Sequence, residues 1–361
     1  MSLGVRCMIM RGGTSKGAYF LAGDLPADPA QRDGLLIRIM GSGDPRQIDG
    51  IGGAHPLTSK VAVISPSADD EADLDYLFLQ LGVDEATVSD QQNCGNLLAG
   101  VGPFAVERGL IPAGPEQTTT RIRMVNSASL ATARFPTPDG VPDYDGDTAI
   151  SGVPGTAAAI VLDFDGTEGS STGSLLPTGH RRDEVDGVEV TCVDNGMPVV
   201  VARAADLGLT GYEPYQDLGQ DRALADRVQS LRVQAGKLMG LGDVTGASVP
   251  KTTLVAAPRD GGTICTRTFI PVRPHTAIGV LGAVSVVTAL AIPGAAGADL
   301  AAPPAGPDGV RYDVEHPTGH LAVEAEIDTS GDLPRVRRSG VVRTARKLSD
   351  GTVFPQSPGS R

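Results

Sequence analysis

Tryptophan is absent from the chain, and aromatic residues fill only 4% of its 361 positions. Apolar residues still reach 40%, enough for real cores, while glycine and proline together make up about a fifth of the sequence. That mixture, rich in Val, Ala and Thr, favours many short strands and tight turns over a helical bundle. A basic excess is also lacking: 30 lysines and arginines face 43 acidic side chains, a formal charge of −13. Such a surface repels phosphate backbones, so no nucleic-acid partner is expected, and an anionic substrate has to be captured by local donors.

Cysteine is sparse. Cys7, Cys94, Cys192 and Cys265 stand far apart with no CxxC pair, which is neither a disulfide framework nor a zinc signature. Reduced thiols in a cytoplasm are the expectation. The five histidines, His55, His180, His275, His316 and His320, form neither HxH nor HExxH, so no metal is expected. No GxGxxG follows a strand-like run and the Walker A spacing is missing, so no nucleotide cofactor is expected. The N-terminal apolar run is too short for a signal peptide. The longest uncharged stretch, His275–Ala298, is broken by Pro293 and several glycines. It falls short of a membrane span and reads as a buried core helix, so no membrane partner is expected.

The length suggests two domains, and the two halves repeat one another. VRCMIM, RGGTSKG and AYFLAGDLP at the start match VEVTCV, DNGMP and VVVARAADLG at Val188–Gly208. A helical segment follows in each half, Asp33–Met40 and Leu224–Met239, with apolar residues at helical spacing. Then Lys60 opens a strand in LTSKVAVIS, and Lys251 opens one in SVPKTTLVA. Last, QQNCGNLLAGVGPFAVERGL corresponds to VRPHTAIGVLGAVSVVTAL. Four correspondences in one order imply a duplicated unit: a curved mixed sheet around one small-residue helix, where Gly and Ala let strands approach closely. The expected fold class is α/β (α+β) with two pseudo-symmetric domains. They span residues 1–182, completed by 345–361, and residues 183–344, with the ligand cleft between them.

Cys94 sits where a turn hands over to a helix. Orphan N–H groups there stabilise a thiolate or bind a carboxylate, and the flanking Asn93 and Asn96 are wrong for a buried structural thiol. The other three cysteines lie in apolar runs and read as inert core. Lys60 follows a glycine-rich loop and enters a strand, where lost solvation lowers a lysine pKa toward neutrality; the plain alternative is a surface lysine at a strand edge. RGGTSKG offers N–H groups, the hydroxyls of Thr14 and Ser15, and the charge of Arg11 or Lys16 to a carboxylate, or is only a hairpin. Asn195 is the matching donor in the second half. His275 either caps the second core helix and orients substrate or is a satisfied structural histidine.

RGGTSKGAYFL, SGDPRQIDGIGGAHPLTSKVAV, QQNCGNLLAGVGPFAVERGL, SGVPGTAAAI, VTCVDNGMPVV and the GAVSV helix resemble the 2-methylaconitate isomerase family, which has the diaminopimelate epimerase-like fold. The resemblance runs from Cys7 to about Gly351. It implies a cytoplasmic, cofactor-free isomerase of gallate degradation, acting on a small polycarboxylate and assembling as a homodimer. The implied reaction is keto–enol tautomerisation of 4-oxalomesaconate or a related unsaturated tricarboxylate, with Lys60 and Cys94 moving the proton. Thr14, Ser15, Lys16, Ser59, Asn93, Gly95, Asn96, Asn195, His275 and Thr276 become the substrate contacts. The second half has His275-Thr276 where a two-thiol epimerase has its other cysteine, which argues against stereoinversion. Rival readings are 2-methylaconitate cis–trans isomerisation, allylic isomerisation of oxalomesaconate, and a carboxylate-binding protein without turnover.

Overall fold

A computed structural model describes residues 4–91, 93–305, 309–331 and 333–357. The repeat reappears in it as one order of strand pairings used twice. Unit 1 comprises residues 1–162 and 343–361, and unit 2 comprises residues 163–342.

Unit 1 opens with the antiparallel hairpin β1 (Val5–Gly12) and β2 (Ser15–Leu21). A parallel neighbour needs a crossover, and helix α1 (Pro29–Met40) supplies it before β3 (Lys60–Pro66) pairs with β2. α1 starts ahead of the apolar periodicity because the Asp28 carboxylate accepts the Gln31 N–H at 2.9 Å and Pro29 fits its first turn. Gly41, at φ 70°, ends it. β4 (Leu74–Leu81) runs antiparallel to β3 and carries the two-residue β5 (Val88–Ser89). Helix α2 (Gly95–Glu107) then crosses to β6 (Gln117–Met124), parallel to β4, which pairs antiparallel with β7 (Ser129–Pro136). β8 (Ala159–Phe164) follows β7 in the sheet.

Unit 2 repeats this order. After the short β9 (Asp183–Val185), the hairpin β10 (Val188–Asp194) and β11 (Pro198–Arg203) leads through α3 (Tyr215–Leu218) and α4 (Arg222–Leu238). β12 (Lys251–Ala256) is parallel to β11 and β13 (Ile264–Phe269) antiparallel to β12. Helix α5 (Val280–Leu290) crosses to β14 (Arg311–His316), parallel to β13, and β15 (Gly319–Asp328) pairs antiparallel with β14. β16 (Arg335–Val353) pairs with β15 through its first residues, whereas Ala345–Val353 pair with β1. It also neighbours β8, so the unit 1 strands form a closed ring.

Within unit 1, α2 packs on β1, β2, β3 and β7 and is buried at every residue from Leu97 to Ala105. Small residues make this enclosure work. A Cβ built at Gly100 would lie 2.5 Å from the Tyr19 hydroxyl, and one at Gly102 only 2.4 Å from the Phe135 ring. α5 is buried from Gly282 to Leu290 against β10, β11, β14 and β15, but a Cβ at its Gly282 meets nothing within 4 Å. Arg108, just past α2, makes a bidentate ion pair with Asp350 of β16 at 2.9 and 2.6 Å.

These two helix glycines give a stability test. Gly102→Ala overpacks the Phe135 contact and should cost about 1–3 kcal/mol in urea unfolding. Gly282→Ala enters open space and should stabilise by about 0.5–1 kcal/mol through helix propensity. Equal costs at the two sites would contradict this packing account.

Candidate active site

The first N–H groups of a helix have no partner within it, and in unit 1 those of α2 follow directly on Cys94. Cys94 is the N-cap, with extended backbone, and its thiol makes no capping hydrogen bond. Two phenols hold this end of the helix in place. The Tyr76 hydroxyl donates to the Cys94 carbonyl at 3.1 Å, and the Tyr19 hydroxyl to the Leu97 carbonyl at 2.6 Å. Both tyrosines are fully buried, and burial, then the nearby Cys94 sulfur, pushes their ionisation well above the ordinary value. They therefore remain donors at any physiological pH.

The hairpin turn between β1 and β2 lies against the same first turn. A Cβ built at Gly12 would come within 2.3 Å of the Asn96 carbonyl, and one at Gly13 within 2.2 Å of Asn96 Oδ1. Gly13 also has φ +50°, so glycine is required there twice over. At this distance Asn96 Nδ2 donates to Thr14 Oγ1 at 3.0 Å and reaches Ser15 Oγ at 3.4 Å. Arg11 is occupied in holding the turn, through Gly13 and Thr344. Lys16 is half-buried opposite Arg11 in the hairpin. Beside Gly95 the space is open: a Cβ built there meets nothing within 4 Å.

Lys60 begins β3 next to this cluster, since a Cβ at Gly17 would touch both Leu97 Cδ2 at 2.7 Å and the Lys60 carbonyl at 2.8 Å. The lysine is buried, at 8% exposure. Its Nζ donates to Gln80 Oε1 at 2.6 Å and lies 5.0 Å from the Phe78 ring centroid. Among the described residues no carboxylate reaches it within ion-pair distance. Gln80 is fixed in turn, its Nε2 donating to the carbonyls of Pro56, Ser59 and Leu81. Sequence reading missed Gln80, because only the register Lys60↔Gln80 reveals it.

Not every polar residue singled out from the sequence is available to a ligand. Ser59 is fully buried and donates to Gln47 Oε1 at 2.7 Å, which makes it a pin for the preceding loop. Asn93 is exposed, with Nδ2 2.6 Å from Ser127 Oγ. Asn195 is fully buried in unit 2: its N–H donates to Ser285 Oγ, its Nδ2 to Thr288 Oγ1, and its Oδ1 accepts from Thr167. It anchors its own turn. Cys7 and Cys192 are pushed up to about 12 by burial, and Cys265 is raised by burial too, so these thiols stay protonated.

Unit 2 differs from unit 1 at the corresponding helix. α5 has Gly279 as its N-cap, so His275 does not open it. His275 instead closes a turn, its N–H donating to the Thr268 carbonyl and its Nδ1 accepting the Ala277 N–H at 2.8 Å. Thr276 is exposed, and its carbonyl accepts from Thr318 Oγ1. Lys251, the counterpart of Lys60, has Nζ 3.4 Å from a Cβ built at Gly279. Burial lowers its pKa, and the positive end of α5 acts in the same direction. Burial and the Lys251 charge also hold the His275 imidazole below the ordinary 6.5.

Unit 1 thus holds a thiol at a helix start, an amine hydrogen-bonded to a neutral amide and set over the Phe78 ring, and N–H and hydroxyl donors suited to a carboxylate or enolate oxygen. Among the described residues no three His, Cys, Asp or Glu side chains gather as a metal site. No helix among them is long and apolar enough to cross a membrane.

Residues 3–356 match the family described as PrpF protein. The chain is 56% identical over 350 residues to a (4E)-oxalomesaconate Delta-isomerase of Novosphingobium sp. (strain KA1), covering 96% of each chain. It is also 56% identical over 349 residues to a 4-oxalomesaconate tautomerase of Pseudomonas putida, covering 97% of this chain and 95% of that one. The crystal structure of a methylitaconate-delta-isomerase matches with a TM-score of 0.89 at 31% identity, over 100% of this chain and 99% of that one.

The unit 2 geometry predicts a coupled titration. The His275 imidazole should titrate below the ordinary histidine value by NMR. Lys251→Met removes the neighbouring cation and should raise that midpoint, because the imidazolium then meets less repulsion. An unmoved midpoint would show that the two groups do not interact.

Proposed function

The chain belongs to the PrpF family and is an isomerase, and from that premise we propose that it tautomerises 4-oxalomesaconate or a closely similar unsaturated tricarboxylate without a cofactor. One observation carries the assignment of chemistry: a helix-start thiol and a buried lysine without a counter-ion lie in the same unit, beside an anion-compatible turn. The two oxalomesaconate enzymes among the relatives support this choice of substrate.

The reaction moves one proton and leaves the formula unchanged. A carbon flanked by a carbonyl and a conjugated carboxylate gives its proton to a base, negative charge moves onto oxygen, and an acid returns a proton elsewhere in the conjugated system. Lys60 is the proposed base. Its amine is buried, hydrogen-bonded to the neutral Gln80 amide, and has no carboxylate partner among the described residues. Cys94 is the proposed acid, since the α2 N-terminus stabilises charge left on sulfur. Thr14 and the open N–H groups at Gly95 and Asn96 would take the carboxylate and the developing enolate. Such donors contribute a few kcal/mol, and a positioned base on the order of 10²–10⁴-fold in rate. Racemisation needs a base on each face of the carbon. Gly279 at the second helix start carries no side chain, which favours isomerisation over inversion.

Ultraviolet assays with oxalomesaconate and 2-methylaconitate test the substrate. Oxalomesaconate should give the higher kcat/KM; a preference for methylaconitate would reassign the substrate. Tricarboxylate binding with neither turnover nor solvent deuterium exchange would make the chain a binding protein. Lys60→Ala and Cys94→Ala should each lose on the order of 10²-fold or more in turnover with folding retained. Lys251→Ala is the control that the duplication supplies: an equal loss there would remove the case for Lys60 as the base, and full activity in Lys60→Ala would reject it. Gln80→Glu puts a carboxylate against the Lys60 amine and should lower kcat by altering the partner of the proposed base.

A further inference from the structure

Unit 2 contains a polar cavity of about 370 Å³ at the end of β12 and β13 remote from Lys251. Lys251 opens β12, whereas Cys265 on the cavity wall pairs with Ala256 at its other end. The strand between them is roughly 17 Å long, so a ligand here is out of reach of the Lys251 amine.

Two guanidinium groups line this cavity. Arg267 is only 8% exposed. Its Nε donates to the Glu213 carbonyl at 2.7 Å, and its Nη1 to the Thr266 carbonyl at 2.8 Å and toward Cys265 Sγ at 3.5 Å. Its Nη2 has no protein partner among the described residues. Arg259 stacks on the Tyr212 ring, 5.0 Å from the centroid. Among the described residues, neither arginine has a carboxylate within ion-pair distance.

The carboxylates nearby are already committed. Both Glu315 oxygens accept from backbone N–H groups, those of Arg259, Asp260 and Gly262, at 2.7–3.0 Å. Asp260 and Asp313 flank His320 at 3.3 and 2.8 Å. In a chain with 43 acidic side chains, a nearly buried arginine without a counter-ion is a costly arrangement. A bound anion offsets that cost, and the planar guanidinium fork matches carboxylate and phosphate oxygens.

We propose that this cavity binds a small oxyanion, a carboxylate or phosphate group, between Arg259 and Arg267 with the Tyr212 ring as one wall. The site is independent of the isomerase reading. Isothermal titration at fixed ionic strength, with inorganic phosphate in one arm and tricarballylate in the other, tests it. The wild-type chain should bind at least one of them, and which one identifies the ligand chemistry. Arg259→Glu, at an exposed position, and Arg267→Lys, which keeps the charge but loses the fork, should each weaken that binding about tenfold or more. Turnover of Arg259→Glu without added anion should match wild type. Tricarballylate also fits the proposed active site, so only the part of binding lost in Arg259→Glu counts for this cavity. Unchanged affinity in Arg259→Glu, or no binding of either anion at millimolar concentration, overturns the proposal.

Discussion

The turn joining β1 to β2 rests on the first turn of α2 with no space for a side chain between them. Gly12 and Gly13 face Asn96 at distances that a Cβ would violate, and Gly17 is wedged between Leu97 and Lys60 in the same way. This contact sets the positions of Thr14, Asn96, Cys94 and Lys60 relative to one another. It needs α2 to be held from inside, which Tyr19 and Tyr76 do through carbonyls of its first turn. Rings that large fit beside the helix only because Gly100 and Gly102 lie opposite Tyr19 and Phe135. The aromatic residues of this sequence are few, and several of them support the helix start at which Cys94 stands.

The duplicated units keep their backbone and differ in chemistry. Each has a hairpin, a crossover, a lysine opening the next strand and a buried helix. In unit 1 the helix starts at a thiol and the lysine meets a glutamine. In unit 2 the helix starts at Gly279, and β13 ends at Phe269 opposite Thr252, leaving no glutamine across from Lys251. Lys251 instead lies by the helix terminus and His275. Pairing order is set by strand and crossover lengths, which tolerate substitution. The character of a base is set by one or two neighbours, which do not.

That division also explains what the sequence made legible. Alternating strands, crossovers and the repeat are patterns along the chain, so they could be read directly, as could Cys94 at a helix start. Gln80 could not, because facing Lys60 is a matter of register between strands. Ser59 and Asn195 look like ligand donors in glycine-rich loops, yet both point inward, where buried polar groups must find partners. A one-dimensional pattern does not distinguish a hydroxyl that braces a loop from one that faces a substrate. The second helix start was displaced for a related reason. The residue that caps it is glycine, while the conspicuous His275-Thr276 pair belongs to the turn ahead of it.

β16 belongs to both units, its first residues pairing with β15 and its last with β1. Synthesis therefore cannot finish the units in the order in which they begin. β1 leaves the ribosome before any of unit 2, but its partner Ala345–Val353 emerges only after the whole of unit 2 has been made. Until then the edge of β1 that faces β16 lacks its strand, and Arg108 lacks Asp350. The unit holding the proposed proton-transfer pair is closed last, so a nascent chain completes that site only after unit 2 has been made.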